Sequence, residues 1–129
     1  MELTEFENLV AEAVAALPEK FQAKLKNVAF VVGDEPSIEL RQREKLNVNE
    51  TLLGYYQGIP LTRRGGDYGM GPTLPDVITI FQGPIENAAG EAPAAIRRIV
   101  FETVSHEVAH YFGMNEHEVR AREKKKHGR

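Results

Sequence analysis

The chain opens with an apolar period that fits a helix. Phe6, Leu9, Val10, Ala13, Val14 and Leu17 recur at helical spacing, and Thr4 followed by Glu7 has the form of a capping box. Pro18 either closes this helix or opens a short second one within 18–26. The pattern then changes. Val28-Ala29-Phe30-Val31-Val32 is a short β-branched run bounded by Gly33, Asp34 and Pro36, and it predicts a strand. Residues 37–46 are charged and fit a loose helix or a loop. Leu52 to Gly58 (LLGYYQG) predicts a second strand, and Val77 to Phe81 (VITIF) a third, ending at Gly83-Pro84. The stretch ENAAGEA predicts a loop. From Pro93 to Phe112 the pattern is that of one long helix with no internal Gly or Pro. Pro93 suits the first helical position, where an N–H would be unpaired anyway, and Gly113 suits the stop. Asn115, with Glu118 three residues on, predicts the cap of a last helix. The order α-(α)-β-(α)-β-β-α-α predicts an α+β fold, with a small three-stranded or four-stranded sheet packed on the long helix and flanked by other helices.

Composition narrows the class. At 129 residues, without a repeat or a linker, residues 1–129 are expected to form a single domain. With 42% hydrophobic and 27% charged residues, the chain is globular rather than disordered. No apolar run approaches the roughly 20 residues of a spanning helix, so no membrane partner is expected. The acidic start MELTEFENLV does not read as a secretory signal, which predicts a cytoplasmic protein. There is no cysteine, so any metal must be held by His, Asp or Glu. The net charge of −3 argues against a dedicated nucleic-acid binder. The basic end RAREKKKHGR reads as a solvated helix end, its cations suited to the negative end of the dipole. The loop from Thr62 to Pro75 holds Arg63, Arg64, four glycines and Pro72, but not the Gly-Lys-Ser/Thr order of a phosphate loop, which excludes that form of nucleotide binding. Asp67 and Asp76 read as turn residues.

The stretch with chemical content is Ser105-His106-Glu107-Val108-Ala109-His110-Tyr111-Phe112-Gly113, an H-E-x-x-H on the long helix. Residues four apart lie one turn apart on one face, so both imidazoles can reach a single ion. Zinc (Zn2+) takes two such nitrogens, needs a third protein ligand, and keeps one position for water, whose pKa falls to about 7. Glu107 follows the first ligand and is placed as general base, taking a proton from that water and delivering it to a leaving amine. Two of the four histidines in the chain fall in this pattern. For the third ligand, the spacing H-E-x-x-H-x-x-G-x-x-H places its last position on Glu116. His117 and Glu118 are alternatives if the turn differs by a residue. Only 19 residues follow His110, so a distant glutamate ligand has Glu123 as its one late candidate.

Three segments carry a family resemblance: LLGYYQGIPLT (Leu52–Thr62), LPDVITIFQGPI (Leu74–Ile85) and HEVAHYFGMNEHEVR (His106–Arg120). They resemble, in the same order, the compact bacterial zincin-like metallopeptidase family, also described as minimal metzincin-like or matrix-metalloproteinase-like. The resemblance implies a short sheet over an active-site helix, zinc on His106 and His110, Glu107 as base, and Glu116 in the third-ligand place. The family usually has Asp there and larger metzincins have His. No methionine follows the third-ligand position, so the methionine turn of larger metzincins is absent from this sequence.

Together these readings predict a zinc-dependent peptidase that hydrolyses amide bonds in peptides or flexible, unfolded polypeptides. Extended substrate would pair with a strand edge, either VITIF or LLGYY. Tyr111 or Tyr55 is a candidate to stabilise the developing oxyanion, although such tyrosines more often pack with the hydroxyl at the surface. Two rival functions are a metal-dependent endoribonuclease, for which Lys124–Lys126 would matter, and a non-catalytic binding module that keeps the zincin fold. The sequence does not decide the oligomeric state, and a two-His-one-carboxylate set also suits other divalent ions.

Overall fold

The computed structural model describes residues 1–58 and 75–113. Its first helix, α1 (Leu3–Ala15), turns Phe6, Val10 and Ala13 into the core, an i, i+4, i+7 stripe. The helix starts earlier than the capping box predicts. Glu2 is the N-cap, no side chain caps the helix, and Thr4 lies inside the first turn. Fully buried Phe6 sets this start, and its N–H is satisfied by the Glu2 carbonyl. Pro18 opens the single turn α2 (Glu19–Gln22).

Strand β1 (Val28–Gly33) leads to α3 (Ile38–Arg43), which is capped by the Ser37 hydroxyl accepting from the Leu40 N–H at 3.1 Å. Strands β2 (Gly54–Gln57) and β3 (Asp76–Phe81) complete a sheet of order β1-β3-β2. β1 runs parallel to β3, from Val28 opposite Asp76 to Gly33 opposite Phe81. β2 runs antiparallel to β3, with Gly54 opposite Ile80 and Gln57 opposite Val77. Side chains alternate between the faces of a strand, so Ile78 and Ile80 share one face of β3, both fully buried. Among the described residues the sheet has three strands, and with its helices it makes an α+β fold.

Helix α4 (Gln82–Ala89) follows β3 directly and occupies much of the stretch where a loop is expected from ENAAGEA. Gly83-Pro84, the expected strand stop, lies in its first turn. Burial decides the matter: Pro84 and Ile85 both face the core, and the Gly83 N–H bonds the Asp34 carbonyl at 2.9 Å. Left-handed Gly90 (φ 63°) ends the helix.

The long helix α5 (Pro93–Tyr111) packs on α1, α4, β2 and β3. Ile96, Val100, Val104 and Val108 form its core stripe. Gly113 ends it as expected, with φ 85° and its N–H bonded to the His110 carbonyl at 2.8 Å. Asp76 is a strand residue rather than a turn residue; it is buried and accepts a 2.8 Å hydrogen bond from the Tyr56 hydroxyl. Among the described residues, no helix is long and apolar enough to cross a membrane. The glycine-rich loop, the expected last helix and the basic end lie outside the described residues.

Candidate metal centre

The last two turns of α5 bring His106, Glu107 and His110 together, with candidate ligand atoms of all three within 4.8 Å of one another. The two imidazoles lean toward each other, and their Nε2 atoms are 3.1 Å apart. That is a hydrogen-bond distance between the two rings, with the donor set by the tautomers. Both histidines are half-buried, while Glu107 is only 7% exposed. The three residues lie at the wall of a cleft of about 830 Å³, between α5 and the β2 segment 51–56, with Ile99, Glu102, Thr103 and Glu44 also lining it.

β2 can lie this close to α5 because residue 54 is glycine. A Cβ there would stand 2.7 Å from Thr103 Cγ2 and 3.0 Å from Glu107 Cγ, with the Thr79 carbonyl at 3.3 Å. The stem of Glu107 therefore rests against bare backbone. Thr103 is itself fixed, its hydroxyl donating to the Ile99 carbonyl at 2.7 Å. Gly54 and Thr103 are not singled out by sequence reading. An isolated glycine inside a strand pattern is the available signal, because it marks close backbone approach.

The model matching zincin-like metallopeptidases covers residues 25–126 of this chain. The chain belongs to the zincin-like metallopeptidase family. No curated protein matches it. Membership in the zincin-like family implies a divalent metal, typically zinc. The donor set fits one: two nitrogens bound at about 2.0–2.1 Å to a tetrahedral zinc stand roughly 3.3 Å apart, close to the 3.1 Å between the two Nε2 atoms.

Other expectations fare differently. β3 is the central strand, so VITIF offers no edge to a substrate; β2 pairs only with β3 among the described residues and borders the cleft. Tyr111 is fully buried, donating to the Lys26 carbonyl at 3.2 Å and accepting from the Lys26 N–H at 3.4 Å. That hydroxyl serves the chain crossing before β1 and is a poor candidate for an oxyanion. Tyr55 does line the cleft, with its hydroxyl 3.2 Å from Glu44 Oε2. Glu116, its alternatives His117 and Glu118, and Glu123 lie outside the described residues.

Proposed function

We propose that the protein is a zinc-dependent peptidase cutting amide bonds in peptides or flexible polypeptides. The observation that carries this reading is the pair of Nε2 atoms 3.1 Å apart, with the buried Glu107 carboxylate beside them on one cleft wall. His106 and His110 would hold the metal, and the spacing offers Glu116 as the third ligand, with His117 and Glu118 as its alternatives. When bound, zinc supplies a Lewis acid that polarises the amide carbonyl and acidifies the attacking water.

The chain's own residues do the rest. Glu107 accepts the proton of the attacking water at a carboxylate oxygen and passes it to the leaving amine nitrogen. Its stem, packed on Gly54, restricts where that oxygen can be, and such positioning strengthens general-base catalysis. The backbone of β2 lies along the cleft and, among the described residues, is the edge of the sheet, suited to extended substrate. An extended backbone is what a flexible polypeptide presents and a folded one hides.

The test is bound zinc per chain, followed by hydrolysis of a quenched peptide library. Wild type should hold one zinc, His110→Ala should hold none, and Glu116→Ala should bind more weakly. Glu107→Gln should keep its zinc and lose hydrolysis by about 10²-fold or more. A wild-type protein that takes up no zinc, or one that cuts as well after Glu107→Gln, would refute the reading.

A further inference from the structure

Among the described residues, the carboxylates and cations that line the cleft are all carboxylates. Glu44, Glu102 and Glu107 all border it, and no Lys or Arg does among the described residues. Two of the three carboxylates have evident roles. Glu107 belongs to the metal centre, and Glu102 is paired with Arg98 at 3.2 Å across one helical turn. Glu44 is different. Its described partner is the neutral Tyr55 hydroxyl at 3.2 Å, so its charge is oriented without being cancelled.

The loop carrying Glu44 is built to keep it at the cleft. Glu44 is the C-cap of α3, and the next residue, Lys45, takes the left-handed conformation (φ 56°) that a lysine rarely adopts. The Lys45 N–H bonds the Gln42 carbonyl at 3.2 Å, and the Leu46 N–H bonds the Arg41 carbonyl at 2.9 Å. This double bond pattern is a Schellman stop and fixes the exit direction of the chain. Arg43 and Lys45 flank Glu44 in the chain without a described ion pair to it, and Arg41 lies three residues before it. Its guanidinium is committed elsewhere, donating to the carbonyls of Asn47 at 2.8 Å and Glu50 at 2.7 Å. The cation therefore braces the loop and leaves the carboxylate to the cleft.

We propose that Glu44 and Tyr55 form a recognition wall for a cationic side chain, so that the preferred substrate is a peptide with lysine or arginine flanking the cleaved bond. The pairing of a carboxylate with an aromatic ring suits ammonium and guanidinium groups, which are attracted by both. Glu44 and Tyr55 line the same cleft as His106 and His110, so a side chain held there would enter the cleft that holds the reacting amide. The proposal rests on the peptidase reading for its substrate but not for its binding chemistry.

The experiment therefore measures binding and cleavage separately. Zinc-loaded Glu107→Gln protein is titrated into fluorescent peptides of one sequence differing at a single position: Lys, Arg, norleucine or Glu. Lys and Arg peptides should bind several-fold more tightly than norleucine, and Glu least, with the preference shrinking as salt rises. Adding Glu44→Gln should reduce the Lys-to-norleucine ratio by roughly 3–10-fold, and Tyr55→Phe by less, while zinc content stays at one per chain. Equal binding of all four peptides, or a preference unchanged by Glu44→Gln, would overturn the proposal. Wild-type protein is then assayed for cleavage of the same set. Cleavage that ignores the charge would also overturn it while sustaining the peptidase reading; selective binding without any cleavage would sink that reading and leave the cationic ligand in place.

Discussion

Two stripes of α5 lie side by side and obey different rules. One, through Ile96, Val100, Val104 and Val108, is buried among aliphatic side chains of α1, β3 and α4. The other, through Ile99, Thr103, His106, Glu107 and His110, faces the cleft and the β2 segment. On the first stripe the partner is a set of side chains that fill volume. On the second the nearest partner is backbone, at Gly54, and one methyl group would be too many. A single helix thus combines a face held by burial with a face held by close approach, and rigidity of the first is what makes the second accurate.

The largest expected effect on stability comes from the first stripe. Ile96 is 1% exposed, and Ile96→Ala removes three carbons from a close-packed site and leaves a cavity. Unfolding in denaturant should show a loss of about 2–5 kcal/mol. The folded fraction should still bind one zinc per chain. If zinc affinity fell in step with stability, the two stripes would not be separable and the comparison would fail.

Gly54→Ala attacks the second stripe. The new methyl group meets Thr103 Cγ2 at 2.7 Å and Glu107 Cγ at 3.0 Å, so β2 or the Glu107 stem must move by some tenths of an ångström. Overpacking of this kind costs about 1–3 kcal/mol. The sharper readout is catalytic: turnover should fall more than 10-fold while zinc content is retained, because the atoms nearest the new methyl group belong to Thr103, Glu107 and Thr79. Loss of zinc with unaltered turnover per bound metal would show that the glycine supports the histidines instead.

The two stripes were not equally legible in the sequence. Spacing alone places His106 and His110 on one face, and local signals at Pro93 and Gly113 delimit α5 to within a residue of its observed ends. Those are short-range features, fixed by helix geometry and by one left-handed glycine. Gly54 and Glu107 are 53 residues apart in the chain, and their contact depends on how β2 docks, which no local pattern encodes. The loop position of Glu44 is likewise set by Arg41 reaching the carbonyls of Asn47 and Glu50. Helix α4 was missed for a related reason. Gly83-Pro84 punctuates a strand and also begins a helix equally well, and only the burial of Ile85 against α5 chooses between them. Thr4 shows the converse, a correct local cap pattern overruled because Phe6 is drawn into the core.

Tyr111 stands where the stripes meet, and it gives the smallest and most discriminating effect. It follows His110 directly, yet its ring is fully buried between Tyr56 and Phe112, with centroids 6.0 and 5.2 Å away. Its hydroxyl serves the Lys26 peptide, which lies just before β1. Tyr111→Phe keeps the ring and removes both bonds to Lys26, an exposed residue whose peptide can turn to water, so stability should fall by about 0.5–1.5 kcal/mol. Turnover should change less than 3-fold, because the hydroxyl is bonded to Lys26 and Tyr111 is not among the residues lining the cleft; removal of a true oxyanion donor would instead cost about 10²–10³-fold. Unfolding curves and peptide turnover on the same preparation separate the two cases. A large loss of turnover at unchanged stability would move Tyr111 from the core stripe to the cleft stripe, and with it the boundary on which the comparison rests.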